Sequence, residues 1–387
     1  VEEAVVVDAV RTPSGRGRPG GALSGVHPVD LLAGTLRALL ERTGLDPALV
    51  DDVVGGCVSQ VGEQASNVVR SAVLAAGLPA SVPAVTVDRQ CGSGQQAVHF
   101  AAQGIAAGAY DVAVACGVES MSRVPLGSSV AGADPYGPLL RARYPGLVHQ
   151  GVAAELVAAR WGLGREELDA YAARSHRLAA ATAAAGGFDA ELVPAGGLVA
   201  DETVRPGTTV GALAALPPAF RTDELAAAHP EAGWHVTAGS SSPLTDGAAA
   251  ALLVGARTAE RLGLRPRARV AACAVAADDP VLMLTGVLPA TRRLLARAGR
   301  TLDEVDRYEV NEAFAPVPLA WARDLGADPQ RLNPCGGAIA LGHPLGATGV
   351  RLLATLVHGL EASGGRWGLQ AVCEGGGTAN AMLVERL

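Results

Sequence analysis

The chain has 387 residues, 49 % of them apolar and only 3 % aromatic, with a formal net charge of −7 at pH 7. An acidic chain so poor in aromatics lacks the basic, base-stacking surface that a nucleic-acid partner requires. All 31 basic residues are arginine, which excludes lysine Schiff-base chemistry, a pyridoxal anchor and a P-loop lysine.

This length exceeds the usual single core, so two or three core-forming units are expected. The opening VEEAVVVDAVRTP is acidic and then strand-like, unlike a signal peptide, and no apolar run reaches the roughly 18–20 residues that would span a bilayer. The expectation is an untargeted, cytoplasmic protein without membrane insertion. Its six cysteines show no C-x-x-C spacing and read as reduced thiols. Its eight histidines form no H-x-H or H-x-x-x-H pair, so no metal site is expected.

In chain order, LRALLERTGLDPALVDDVVGG (36–56) reads as helix, glycine stop, short acidic helix and strand. Next, a β-branched run (Val82–Val87) gives way to VDRQCGSGQQAV (87–98). That motif sets Cys91 at a strand-to-helix turn, where unpaired helix N–H groups favour a thiolate. Its glycines let a substrate carbonyl approach the backbone. A buried structural cysteine is the alternative. DVAVACGVES (111–120) follows as a strand, with Cys116 read as core packing.

From 118 to 243 the texture changes: a loop-rich stretch (123–138), an Ala-rich helical run (151–182) and turns ending in AGSSSPL (238–244). This is read as an insertion. The chain returns through TDGAAAALLVGA (245–256), read as helix plus strand. TRRLLARAGRTLDEVDRYEVNE (291–312) then repeats the grammar of 36–56, with Gly299 answering Gly44 and Val305-Asp306 answering Val50-Asp51. The segment GLQAVCEGGGT (368–378) echoes 111–120, and Cys373 is matched with Cys116. Two similar α/β units are expected, each with a mostly parallel sheet: an N-terminal half over 1–117 and 244–263, the insertion over 118–243, and a C-terminal half over 264–387.

Three motifs in the second half bear on chemistry. EVNEAFA (309–315) puts Asn311 at a strand end, where it caps a turn or orients a water or oxyanion. GGAIALGHPLGATG (336–349) holds His343 in a Gly-Pro loop ahead of a helix over 350–360. The repeat gives the Cys91 and His343 turns comparable positions, so both loops could converge between the halves. Cys373 ends a strand before the 375–377 glycine run, whose free N–H groups suit an oxyanion hole. A phosphate loop competes poorly there, because the G-x-G-x-x-G pattern and lysine are missing.

VDRQCGSGQQA, GVESMS (117–122), VNEAFA, GGAIALGHPLGATG and CEGGG occur in one order over nearly the whole chain, and the chain resembles the thiolases, most closely the degradative branch that cleaves 3-ketoacyl-CoA. The resemblance implies an α/β fold of two pseudo-repeated α-β-α-β-α halves, each with a five-stranded layer, plus an inserted loop domain that holds coenzyme A. It implies an acyl-CoA C-acyltransferase that cleaves 3-ketoacyl-CoA with coenzyme A, or runs the reverse Claisen condensation, through a Cys91 acyl-enzyme. His343 would take the Cys91 proton and, with an Asn311-held water, face the enolate oxygen. Cys373 would exchange protons with the acetyl-CoA carbanion and with coenzyme A. The N–H groups of Cys91 and Gly375 would form a second oxyanion hole. Ser242, His149 and Met283 would contact coenzyme A or line its pocket. Acyl-CoA and coenzyme A act as substrates with no tightly bound cofactor, and the assembly implied is a homodimer or homotetramer. A malonyl-decarboxylating ketosynthase and a non-catalytic acyl-CoA or lipid-binding relative are the alternatives. Cys335 stands where the family usually has asparagine.

Overall fold

The computed structural model describes residues 2–387. Ten strands form one mixed sheet: β1 (Ala4–Arg11), β2 (Gly15–Arg16), β3 (Asp52–Gly56), β4 (Ala84–Val87), β5 (Val112–Ser120), β6 (Thr245–Gly255), β7 (Ala268–Ala277), β8 (Arg307–Val310), β9 (Trp367–Cys373) and β10 (Thr378–Arg386). Their order is β4-β3-β5-β6-β1-β7-β10-β9-β8, with β2 paired to β6 off the main path. The two halves meet where Val5 and Val6 of β1 pair with Arg269 and Ala268 of β7.

The repeat in the sequence is a repeat in space. Gly44 and Gly299 each end a helix in the left-handed region, at φ 65° and 61°, where glycine carries no Cβ penalty. Short 3₁₀ turns (Pro47–Leu49 and Leu302–Glu304) follow, then β3 and β8. In the first half β4 and β5 pair parallel to β3, whereas β6 and β1 continue antiparallel. The second half matches: β8 pairs parallel to β9, then β10 and β7 run antiparallel. Each half of the sheet is therefore mixed and not mostly parallel: β6 returns from the insertion antiparallel to β5, and a tight glycine hairpin reverses the chain between β9 and β10. The fifth strand expected in the second half is reduced to an isolated parallel bridge between Tyr308 and Leu332.

Sheet register corrects one expected equivalence. Gly55 pairs with Cys116, and its counterpart Val310 pairs with Ala371. Cys116 thus corresponds to Ala371, and the residue corresponding to Glu374 is Glu119. The Ala-rich stretch after the insertion is also a single strand through Gly255, fully buried along its eleven residues. Its place between β5 and β1 overrides alanine's helix preference. β5 runs on to Ser120, and Ser120 pairs with Asp246, so the insertion leaves and rejoins the sheet at one point.

Two central helices, Ser93–Ala106 and Leu345–Ser363, pack against each other and against both halves of the sheet, sharing a core of Val98, Ile105, Val350, Leu353 and Leu356 with Ala113 and Leu253. Outer helices cover the far faces, giving the α-β-α-β-α order: Pro28–Thr43 on one side, Val287–Ala298 and Pro316–Leu325 on the other. No helix among the described residues is long and apolar enough to cross a membrane.

The Leu345–Ser363 helix approaches the ends of β3 and β5 backbone to backbone. A Cβ on Gly346 would lie 2.5 Å from the Gly56 carbonyl oxygen and 2.7 Å from that of Val118. Neither obstacle is a side chain that can rotate away. Gly346→Ala should therefore lower stability by about 1–3 kcal/mol, read as a reduced midpoint in urea denaturation.

The insertion is tied down by charge. Arg11, at the end of β1 and fully buried, donates from Nε to Glu191 at 2.5 Å and from Nη1 and Nη2 to Asp201 at 2.7 and 3.0 Å. Glu312, beside Asn311, accepts from Tyr171 Oη (2.9 Å) and Ser175 Oγ (2.7 Å) of the helix Arg165–Ala184, and from Asn333 Nδ2 (3.0 Å).

Candidate active site

Cys91 and His343 stand two residues ahead of the two central helices, which begin at Ser93 and Leu345. The pseudo-symmetry therefore delivers a thiol from one half and an imidazole from the other to the same level of the fold. Cys373, the last residue of β9, adds a second thiol. Cys91 shares a small apolar cluster with Leu345, two residues after His343, and Val372, one residue before Cys373. All four central candidates are buried: Cys91 is 8 % exposed, His343 5 %, Cys373 1 % and Asn311 1 %.

His343 is held at three points, two of them on its imidazole. Its main-chain N–H donates to Thr245 Oγ1 (3.0 Å), Nδ1 faces Thr348 Oγ1 (2.7 Å), and Nε2 faces Asn311 Nδ2 (3.3 Å). The tautomer follows from counting protons. Thr348 gives its single hydroxyl proton to the Pro344 carbonyl (3.0 Å), so it accepts from His343 Nδ1–H. Asn311 Nδ2 can only donate, so Nε2 carries the lone pair. This is the arrangement of a neutral base. Burial, with the Arg351 guanidinium as second cause, pushes the imidazole down to about 3, so it stays uncharged at neutral pH. Asn311 Oδ1 is buried without a partner, a free acceptor beside the imidazole.

The Cys91 thiol departs from the expectation that a helix end favours its thiolate. Burial and then the Glu374 carboxylate push it up to about 12, against the pull of the N–H groups of Cys91 and Gly375 at its sulfur. Dehydration of the anion outweighs the dipole here. Cys373 is likewise raised, first by burial and then by Cys91, so the two sulfurs feel each other's charge. Both thiols are protonated at rest.

Cys91 opens onto a cleft of about 450 Å³ whose wall includes Gly375, Met283, His149, Leu345 and Tyr136. His149 caps the helix Gln150–Arg160 through its Nδ1, 3.1 Å from the Gly151 N–H. Met283 is buried with φ 54°, an unusual backbone position for a non-glycine residue. Ser242 is not on that wall; its N–H donates to the Ala313 carbonyl at 3.0 Å, seating it against the Asn311 segment. Cys335, with no side chain on that wall, faces Arg307 instead.

Sequence reading passed over two carboxylates that organise these loops. Glu119 is fully buried and accepts from the N–H groups of Val58 (3.0 Å), Ser59 (3.0 Å) and Gly346 (2.9 Å) and from Gln64 Nε2 (3.0 Å). It thereby fixes the loop after β3 to the start of the His343 helix. Glu374, its counterpart, reaches the Cys91 turn: a Cβ on Gly92 would fall 1.8 Å from Glu374 Oε1. The available signal was an acidic residue ending an otherwise apolar strand, a position that demands partners.

Models of the thiolase N-terminal domain and the thiolase C-terminal domain match residues 4–257 and 264–386. The chain is 47 % identical to the steroid 3-ketoacyl-CoA thiolase FadA6 of Mycobacterium tuberculosis, covering 100 % of this chain and 94 % of that protein. It is 43 % identical to a 3-ketoacyl-CoA thiolase of Klebsiella pneumoniae, with both chains covered in full. Among solved structures, the Bacillus anthracis acetyl-CoA acetyltransferase matches with a TM-score of 0.88 at 36 % identity, covering 100 % of this chain and 99 % of that one.

Proposed function

The chain belongs to the thiolase family, and on that premise we propose that it is an acyl-CoA C-acyltransferase that cleaves 3-ketoacyl-CoA with coenzyme A, yielding acetyl-CoA and a shortened acyl-CoA. The observation that carries this reading is a pair of thiols from opposite halves, within each other's electrostatic reach, one at the wall of a cleft and beside two converging N–H groups. Names of relatives disfavour the ketosynthase and the non-catalytic binding protein.

The resting charges shape the mechanism. A thiol near 12 and an imidazole near 3 do not form a stable ion pair. Proton transfer to His343 Nε2 therefore accompanies attack of Cys91 Sγ on the 3-keto carbon. The N–H groups of Cys91 and Gly375 stabilise the oxyanion of that tetrahedral intermediate. As the bond between the α- and keto carbons breaks, the electron pair passes to the acetyl-CoA enolate. Its oxygen is held by His343 and a water on Asn311, and Cys373 gives its proton to the carbon. The Cys373 thiolate then takes a proton from coenzyme A, whose sulfur attacks the Cys91 thioester; the shortened acyl-CoA is released as the carbon–sulfur bond to Cys91 breaks and Cys91 Sγ takes back the proton held by His343. Dehydration makes the Cys373 thiolate a strong base, which suits removal of a weakly acidic proton in the reverse direction.

The inserted segment, which carries His149 and Ser242, is the part assigned to coenzyme A, with Met283 of the C-terminal half on the same cleft wall as His149. Exposed Val85 on the edge strand β4, with exposed Leu74 and Phe100 on flanking helices, supports a homodimer or homotetramer. The acyl-CoA substrates and bacterial relatives support a cytoplasmic location. Peptide mass spectrometry after incubation with acetyl-CoA is the test. An acetyl group on the Cys91 peptide is expected, and an acetylated peptide that lacks Cys91 would overturn the assignment.

A further inference from the structure

A second cavity, of about 410 Å³, lies apart from the Cys91 cleft and shares no lining residue with it. Three guanidiniums surround it: Arg16 and Arg18 from the turn at β2, and Arg205 from the inserted segment. Pro243 and half-exposed Leu244 supply an apolar side. The volume suits a small ligand.

The frame that carries these arginines is fixed. The Gly17 N–H donates to the Leu244 carbonyl (2.8 Å), and the Arg18 N–H donates to the Arg16 carbonyl (2.8 Å), which turns the chain sharply between the two side chains. A Cβ on Gly17 would lie 2.5 Å from the Thr245 nitrogen, so glycine lets this turn sit on the start of β6. Thr203, two residues before Arg205, donates from its hydroxyl to the Ala340 carbonyl at 2.7 Å.

Elsewhere in the chain guanidiniums face carboxylates, as Arg42 and Arg267 face Asp8 at 2.9 and 2.5 Å. At this cavity they do not. Among the described residues no carboxylate pairs with Arg18 or Arg205. Arg16 meets Glu202 Oε1 only at 3.8 Å, and Glu202 Oε2 is taken by the N–H groups of Arg16 (2.8 Å) and Ala22 (3.0 Å). Arg205 instead faces the fully buried imidazole of His176: its main-chain N–H lies 3.2 Å from Nδ1 and its Nη2 lies 3.1 Å from Nε2. A neutral imidazole has one lone pair and a protonated one has none, so His176 accepts from at most one of these donors. Burial and then Arg205 push that imidazole down to about 4, so it brings no charge of its own at neutral pH. Partial dehydration and then the charge of Arg16 weaken the hold of Arg205 on its proton. Three like charges against one carboxylate thus face a single cavity, an arrangement that an added anion relieves.

We propose that Arg16, Arg18 and Arg205 form a binding site for a phosphate group. Each guanidinium fork matches two phosphate oxygens at a time, and three forks present more donors than a single carboxylate can use. The apolar side at Pro243 and Leu244 favours an organic phosphate over the free ion. Two sources share this chemistry. One is a separate phosphorylated metabolite. The other is coenzyme A, whose phosphates meet no arginine on the wall of the Cys91 cleft.

Isothermal titration of the full chain with inorganic pyrophosphate tests the site. It needs no turnover, so its outcome stands apart from that of the acetylation experiment. The wild type should bind, and more weakly as salt is added. Arg18→Gln and Arg205→Gln should each weaken binding by about tenfold, as the loss of one charge-assisted hydrogen bond does. Arg37→Gln, which removes an exposed arginine of the helix Pro28–Thr43, should leave it unchanged. Absence of binding to the wild type overturns the proposal, as does an equal loss in Arg37→Gln or binding that neither pocket variant weakens. Repeating the titration with saturating coenzyme A separates the sources. Displaced pyrophosphate assigns the pocket to the coenzyme's own phosphates, and undisturbed binding assigns it to a separate ligand.

Discussion

Cys91→Ala should abolish thiolysis, lowering kcat by at least about 10⁴-fold, whereas Cys373→Ala should separate the two half-reactions. In the second variant the nucleophile, His343 and the two N–H groups at the Cys91 sulfur all remain. Acyl transfer from a simple acyl-CoA onto Cys91 needs no proton exchange at carbon, so this variant should still acylate. Completed thiolysis should fall by about 10²–10⁴-fold, the usual range for a missing general acid–base. Stopped-flow thiolysis assays with mass analysis of the trapped enzyme check both expectations. A Cys373→Ala protein that never acylates would show that the second thiol is needed earlier.

Arg11→Met should destabilise the fold by about 3–5 kcal/mol, the typical consequence of stranding one side of a buried ion pair. Two carboxylates, Glu191 and Asp201, depend on this guanidinium, and their side chains are 1 % and 4 % exposed. Those same carboxylates hold the Arg11 proton more tightly than usual, despite the dehydration that opposes it. The loss should appear as a lower denaturant midpoint at neutral pH. It should shrink in the variant that also carries Glu191→Gln and Asp201→Asn, because neutral amides tolerate burial better than unpaired charges. Without that recovery, the destabilisation comes from lost packing of the arginine stem on Phe188, whose ring centre lies 5.1 Å from the guanidinium carbon.

Much of the architecture was readable because its signals are local. Gly44 and Gly299 mark helix ends through backbone freedom that few other residues have, and the matched turns that follow them revealed two related halves. The thiol at 91 and the imidazole at 343 stood out for a similar reason: each is a reactive group in a Gly-rich turn before a small-residue helix. The close approach at Gly346 and Gly349 emerges only in the folded chain, which identifies Gly56, Val118 and Gln95 as what they meet.

Other features depend on partners distant in the chain. Matching Cys116 with Cys373 was plausible by eye, but register is set by which carbonyl meets which N–H across the sheet, and it pairs Gly55 with Cys116 and Val310 with Ala371. The alanines of β6 carry no strand signal; neighbours on both sides impose one. Reactivity shows the same division. Residue types along the chain name a thiol, an imidazole and a second thiol, since chemical identity and local turn geometry are encoded there directly. Their protonation states come from dehydration and from Glu374 and Arg351, groups brought alongside only by folding. Electrostatic energy depends on distance and dielectric in three dimensions, and neither quantity is written in the order of residues.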